Sequence, residues 1–424
     1  MPSALLSPDS PRGALAARLP AAACVLMLLG SSIYLVPPLR PFHWGLALIA
    51  LAFCLDAPTR RSFLQSRVLP AAVAAMLLVC VQAAWADNLP RYAQYAVILA
   101  ISLSYTLLGE HLARQGSPYA RWLPWLVALW FLMALVPWFD VLTHSERFRA
   151  RYPLTGGPWD NINNMATALV VANLLWLLAR RRLSSGLFAS AWLYCLVLNR
   201  RADILAMAVL GAIYLLFLMQ GSWRRKAAMA LAWAAISGAG LLWQQYDGTS
   251  TRDLPQITLN DGEWELVASK GDQSTGSRKI LLMDMVHQAR DMPWWQWVAG
   301  MGAGQLNVLW PTREGLVPWG SPHFFWFEML FYLGIAWPLF MLWLLWRLDW
   351  LGRTCLLVIG IAGIAPSSMV YFQPFWFLLG VMLAQLPRRA PRRQPGQAPG
   401  ASAPLPAAPT GQPGGATDAA GRSR

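Results

Sequence analysis

Apolar runs long enough, or nearly long enough, to cross about 30 Å of hydrocarbon recur along this chain. They fall near residues 19–36, 42–56, 68–86, 91–109, 121–139, 162–179, 184–199, 202–219, 226–243, 324–346, 353–365 and 368–386. An unclosed sheet would leave backbone groups unpaired in lipid, so these runs are expected to be helices. The expected fold class is therefore all-α: a polytopic membrane protein of about twelve spans, of which 42–56 and 353–365 are short.

Composition agrees. With 56% hydrophobic residues and only 13% charged ones, the chain fits neither a soluble domain nor a disordered one. Its 24 Trp and 16 Phe suit a protein that populates two lipid interfaces as well as an interior. A net charge of +14 could suggest nucleic acid, but the positions of the charges point elsewhere. Clusters such as Arg60/Arg61/Arg67, Arg180/Arg181/Arg182 and Arg224/Arg225/Lys226 fall on every second connection, and that face collects 21 of the 34 basic residues. The inside-positive bias makes this face cytoplasmic and puts both termini there, with a bilayer rather than nucleic acid as the partner.

The connections divide the chain further. Residues 1–18 form a cytoplasmic N-terminus leading into a first span rather than a signal peptide, and 19–243 hold nine spans. Residues 244–323 form one large, partly helical periplasmic loop, 324–386 hold three more spans, and the Pro/Gly/Ala-rich stretch 387–424 is a disordered cytoplasmic tail. Within the loop, Ile257 to Leu266 around Asn260-Asp261-Gly262 predicts a hairpin. Ser277 to Asp291 predicts a helix stopped by Pro293, with Trp294, Trp295 and Trp297 at the headgroup level. The cysteines (24, 54, 80, 195, 355) and histidines (43, 111, 144, 287, 323) are scattered without metal-binding spacing, so neither metal nor cofactor is expected.

The most informative residues are cations on the external face. Arg147, Arg149 and Arg151 precede the sixth span, and Arg200-Arg201 occupy the turn between the seventh and eighth. A guanidinium stays ionised and makes paired bonds to phosphate, which suits a diphosphate at the mouth of a bundle. The alternative is snorkelling to lipid phosphates with a local Arg201–Asp203 pair. In the loop, Ser277-Arg278 opens the helix, Gly300-Met301-Gly302-Ala303-Gly304 allows close backbone approach, and His323 stands where the tenth span begins. An imidazole there can accept a proton from a hydroxyl nucleophile, or can simply be an interface histidine beside Phe324, Phe325 and Trp326.

Three motifs occur in order: Asn199-Arg200-Arg201-Ala202-Asp203-Ile204-Leu205; Ser277-Arg278-Lys279-Ile280-Leu281 leading to Gly300–Gly304; and Pro322-His323-Phe324-Phe325 followed by Leu333-Gly334-Ile335. Over residues 140–346 this order resembles the O-antigen ligase and polymerase superfamily, as does the upstream Gly156-Gly157-Pro158-Trp159-Asp160-Asn161-Ile162-Asn163-Asn164 element. The resemblance implies a GT-C-like membrane glycosyltransferase in the bacterial inner membrane. Its donor would be an undecaprenyl-diphosphate-linked glycan and its acceptor lipid A-core oligosaccharide. By the same resemblance, Arg201 and Arg278 bind the diphosphate, His323 activates or orients the acceptor, and Arg147 and Arg151 assist. Position 200 is Arg where the family has Ser or Thr, which leaves Arg200 and Arg201 both open as the functional member, and Phe324 stands where the family has Asn. A repeat polymerase, a protein O-oligosaccharyltransferase and a carrier for an anionic lipid or solute remain the other readings. Glu328, Asn173 and the prolines 124, 137, 338 and 374 are the nearest features of a carrier.

Overall fold

The apolar runs become helices in a computed structural model, which describes residues 18–36, 39–135, 156–159, 161–198, 200–246, 251–260, 263–312, 315–319, 324–364 and 368–386. The first half comprises α1 (Leu19–Leu28), α2 (Pro41–Leu55), α3 (Ala57–Leu64), α4 (Val68–Gln82), α5 (Leu89–Arg114) and α6 (Leu123–Leu135). Then come α7 (Ile162–Arg180), α8 (Ser185–Val197), α9 (Arg201–Ile213) with a π-turn over Tyr214–Leu218, and α10 (Trp223–Tyr246). The loop region holds β1 (Thr251–Asn260), β2 (Glu263–Asp272), α11 (Gln273–Asp291), α12 (Trp294–Ala299), β3 (Val308–Thr312) and β4 (Gly315–Trp319). The chain closes with α13 (Phe325–Leu333), α14 (Ala336–Arg347), α15 (Trp350–Ala362) and α16 (Gln373–Ala384).

Four helical stretches are long and apolar enough to cross a membrane: Val68–Trp85, Leu89–Arg114, Ile162–Arg180 and Arg201–Leu218. The bent pair α2 and α3, turning by 103°, would make a fifth. The apolar helices Leu19–Leu28, Leu123–Leu135, Ser185–Val197, Trp350–Ala362 and Gln373–Ala384 are shorter, so the expected count of about twelve exceeds the number of stretches that are both long and apolar enough among the described residues. Two differences have a local cause. Asp56 ends α2 because its carboxylate caps α3, accepting from Thr59 N at 2.9 Å. The expected single span 324–346 breaks at Gly334, whose φ of 61° lies in the left-handed region. A Cβ at Gly334 would strike the backbone of Val298 and Gly300, so α12 docks where the span divides.

The loop region follows its turn chemistry. β1 and β2 pair antiparallel with Ile257 opposite Leu266 and Asn260 opposite Glu263, a longer hairpin than expected but in the expected register. Helix α11 ends at Asp291, two residues before Pro293, and α12 carries the tryptophan cluster. The β3–β4 hairpin was not foreseen from the sequence.

Side-chain bonds gather the connections into two groups. Arg67 Nη1 donates to Leu386 O at 2.7 Å, and Arg181 donates to Gln385 Oε1 at 2.7 Å and to Asp349 Oδ2 at 3.4 Å. Elsewhere Ser32 N donates to Pro158 O at 3.0 Å, the Trp159 and Phe372 rings lie 5.4 Å apart, and Asn88 N donates to Gln305 Oε1 at 3.0 Å. The N-termini of α2, α5, α7 and α16 therefore adjoin this second group of contacts, along with the Gly300–Gly304 turn.

Glu110 ties the first group together. Only 1% exposed, it accepts from Ser66 Oγ, Arg67 N and Arg114. Glu110→Ala leaves these donors without their acceptor, and a thermal melt in detergent is expected to show a loss of about 3–5 kcal/mol.

Candidate functional site

The cationic site begins where two helix N-termini meet. Asn161 caps α7, its Oδ1 accepting from Asn164 N at 2.9 Å, while Arg200 holds the non-helical cap position of α9. Arg200 N donates to Cys195 O at 2.8 Å and its Nε to Leu198 O at 2.7 Å, which closes the tight turn out of α8. Its Nη1 reaches across to Asn163 Oδ1 in the first turn of α7. One turn further in, buried Thr167 donates to buried Asp203 Oδ1 at 3.2 Å. Asp203 sits in the first turn of α9, where the helix dipole favours a carboxylate.

The electrostatics of this corner suit an anion. Two helix N-termini carry partial positive charge and unpaired amides, and Arg200 and Arg201 add two full charges beside them. The buried Asn164 Oδ1 has no hydrogen-bond partner among the described residues; as an acceptor it calls for a donor and adds nothing to anion binding. Through Asn163 Arg200 ties α9 to α7, as the Thr167–Asp203 bond does one turn further in, while its bond to Leu198 O holds the turn.

Of the other residues singled out in the sequence, Arg278 lies near the N-terminal end of α11, which packs on β1, β2 and β3. His323, Arg147 and Arg151 lie outside the described residues. The structure thus brings Arg200 and Arg201 together with Asn163, Asn164, Thr167 and Asp203. Only Asn163 and Asn164, as part of the upstream Gly-Trp-Asn element, and Asp203 had any signal in the sequence.

The Gly300–Gly304 turn is a packing device. Gly300 has φ 83°, its N donates to Gln296 O at 2.7 Å, and a Cβ there would collide with Tyr332 O and the Gln82 amide. Met301 N donates to Phe331 O at 2.8 Å, so of two amides that could have faced an anion one closes the end of α12 and the other docks the turn on α13.

A second polar cluster carried little weight in the sequence. Glu328 in α13 is fully buried, accepting from Ser368 Oγ at 2.8 Å and from the Tyr332 hydroxyl at 3.1 Å. The Tyr95 ring meets those of Tyr332 and Tyr371 edge-on at 5.6 and 5.2 Å. Arg91 stacks over Tyr95 at 5.7 Å and donates to Leu306 O at 3.1 Å. An acid inside an apolar segment was the available signal, since such residues are rare and expensive there. No group of three His, Cys, Asp or Glu side chains with metal-binding proximity occurs among the described residues.

No family model, curated protein or solved structure matches this chain.

Proposed function

We propose that this protein is a polytopic inner-membrane glycosyltransferase of the O-antigen ligase type, with about twelve spans and both termini cytoplasmic. The shorter apolar helices would complete the set of spans as tilted or locally thinned segments. The observation that carries the reading is the meeting of Arg200 and Arg201 with the N-termini of α7 and α9. The ordered motifs around Arg201, Arg278 and His323 supply the rest. The grouping of Arg67, Arg114 and Arg181 away from that corner agrees with an inside-positive face opposite it.

The reaction is a single displacement. The acceptor hydroxyl attacks the anomeric carbon of the lipid-linked glycan from the face opposite the leaving group. The bond to the diphosphate oxygen breaks, and undecaprenyl diphosphate departs with the electron pair. Arg201 and Arg278 stabilise the charge that grows on the diphosphate, and His323 takes the hydroxyl proton. Arg200 positions the corner, and Arg147 and Arg151 extend the cationic path. Fixed cations in a partly dehydrated mouth can do this without a metal. Lipid A-core is the acceptor that the moderate size of the loop region favours, ahead of another lipid-linked repeat or a protein serine.

Buried Glu328, hydrogen-bonded within the bundle, and the helix break at Gly334 favour a carrier of an anionic lipid as the second reading. Purified protein in liposomes, given lipid-linked glycan and lipid A-core without added metal, separates the two. Product that disappears in Arg278→Ala and His323→Ala is expected. Lipid movement without product, surviving both substitutions, would replace transfer by carriage.

A further inference from the structure

A cavity of about 580 Å³ opens between the N-termini of α2 and α16 and the flank of α5. Its volume lies in the range of small-molecule sites. Arg40, His43, Gln94, Tyr371 and Gln373 supply its polar lining, and among the described residues no carboxylate lines it. The inner wall is apolar, with Phe42, Ile98 and Ile101. The flank toward Val97, 60% exposed, opens sideways from the bundle.

Three details give the cavity a chemical preference. Arg40 N donates to His43 Nδ1 at 3.0 Å, which leaves the ring proton on Nε2 and makes the imidazole a donor. The Arg40 guanidinium donates to the Tyr34 hydroxyl at 2.9 Å and lies 5.2 Å from that ring's centre. Gln373 is only 4% exposed and lines the cavity. An amide lining the same cavity as a guanidinium and an imidazole N–H makes the polar lining rich in donors. The ligand class that matches is a compact oxyanion joined to an apolar body.

We propose that this cavity binds the phosphate of an anionic amphiphile, with Arg40, His43 and Gln373 on the phosphate and the hydrocarbon leaving along Val97 and Ile98 into lipid. The side opening beside Val97 is the observation that selects a lipid over a soluble phosphate ester. The site is independent of glycan transfer, so either assignment can fail alone.

The test uses the full chain in neutral phosphatidylcholine nanodiscs, with lysophosphatidic acid, lysophosphatidylcholine and inorganic phosphate as probes in native mass spectrometry. Lysophosphatidic acid is expected to bind in preference to the other two. Arg40→Gln and the near-isosteric Gln373→Glu are each expected to weaken it at least about tenfold, while the exposed Arg182→Gln leaves it unchanged. Equal binding of lysophosphatidylcholine, or undiminished binding in both cavity variants, overturns the site. Inorganic phosphate binding as tightly as the lipid overturns the amphiphile assignment.

Discussion

Gly380→Leu is expected to abolish the monodisperse folded protein, and Gly380→Ala to lower its melting temperature sharply. Helices α5 and α16 approach closely through Gly109 and Gly380. A Cβ at Gly380 would overlap the carbonyl oxygen of Thr106 and crowd Glu110 N, and one at Gly109 would overlap Phe377 O. These obstacles are backbone atoms, so no rotamer change relieves them. In lipid the two helices gain little from hydrophobic burial and depend on such close contact. Overpacking here is expected to cost at least about 3 kcal/mol for Gly380→Ala and more for Leu. Gly186→Ala in α8, where a Cβ meets open space, is the control and should be neutral or stabilising. Size-exclusion profiles after a heating series check both, and a stable Gly380→Leu protein would refute the packing.

The second large effect concerns transfer itself. If the proposed transfer chemistry holds, replacing Arg201 or Arg278 by Ala removes a charge that stabilises the leaving diphosphate, and a loss of about 100-fold to 1,000-fold in turnover is expected for each. Lys at either position should recover only part of this, because an ammonium keeps the charge but loses the planar paired contact. Arg200 behaves differently: with Nε on Leu198 O and Nη1 on Asn163, its loss should loosen the α8–α9 turn and lower stability along with activity. Initial rates at saturating donor, measured beside melting temperatures, separate the two roles. Equal rates for Arg201→Ala and the unaltered protein would remove Arg201 from the chemistry.

How much the sequence revealed depended on whether a feature was local. The hairpin register with Asn260 opposite Glu263 was legible because a two-residue loop of Asp and Gly follows Asn260. The end of α11 was legible because Pro293 cannot continue a helix. The long helices α4, α5 and α7 announced themselves by unbroken apolar length. What the sequence hid was tertiary. Nothing near Gly334 says that Val298 and Gly300 will press against it, and a span read as continuous is two helices. Asp56 looked like a residue at the end of a span, whereas it caps a second helix at 103° to the first. In the candidate site the arginines stood out because they broke the charge bias. Thr167, the hydrogen-bond partner of Asp203, sat unmarked in an apolar run.

Convergence of Arg201 and His323 on one outward mouth is what the transfer chemistry requires, and proximity measures it directly. In the full chain with its five cysteines replaced, Arg201→Cys with His323→Cys is treated with a short bifunctional thiol reagent. Asn88→Cys with Gln305→Cys, whose parent residues are hydrogen-bonded at 3.0 Å, serves as the reference pair. Shared service to one diphosphate predicts an intramolecular crosslink between positions 201 and 323. A reference pair that links while the 201–323 pair stays open would contradict it.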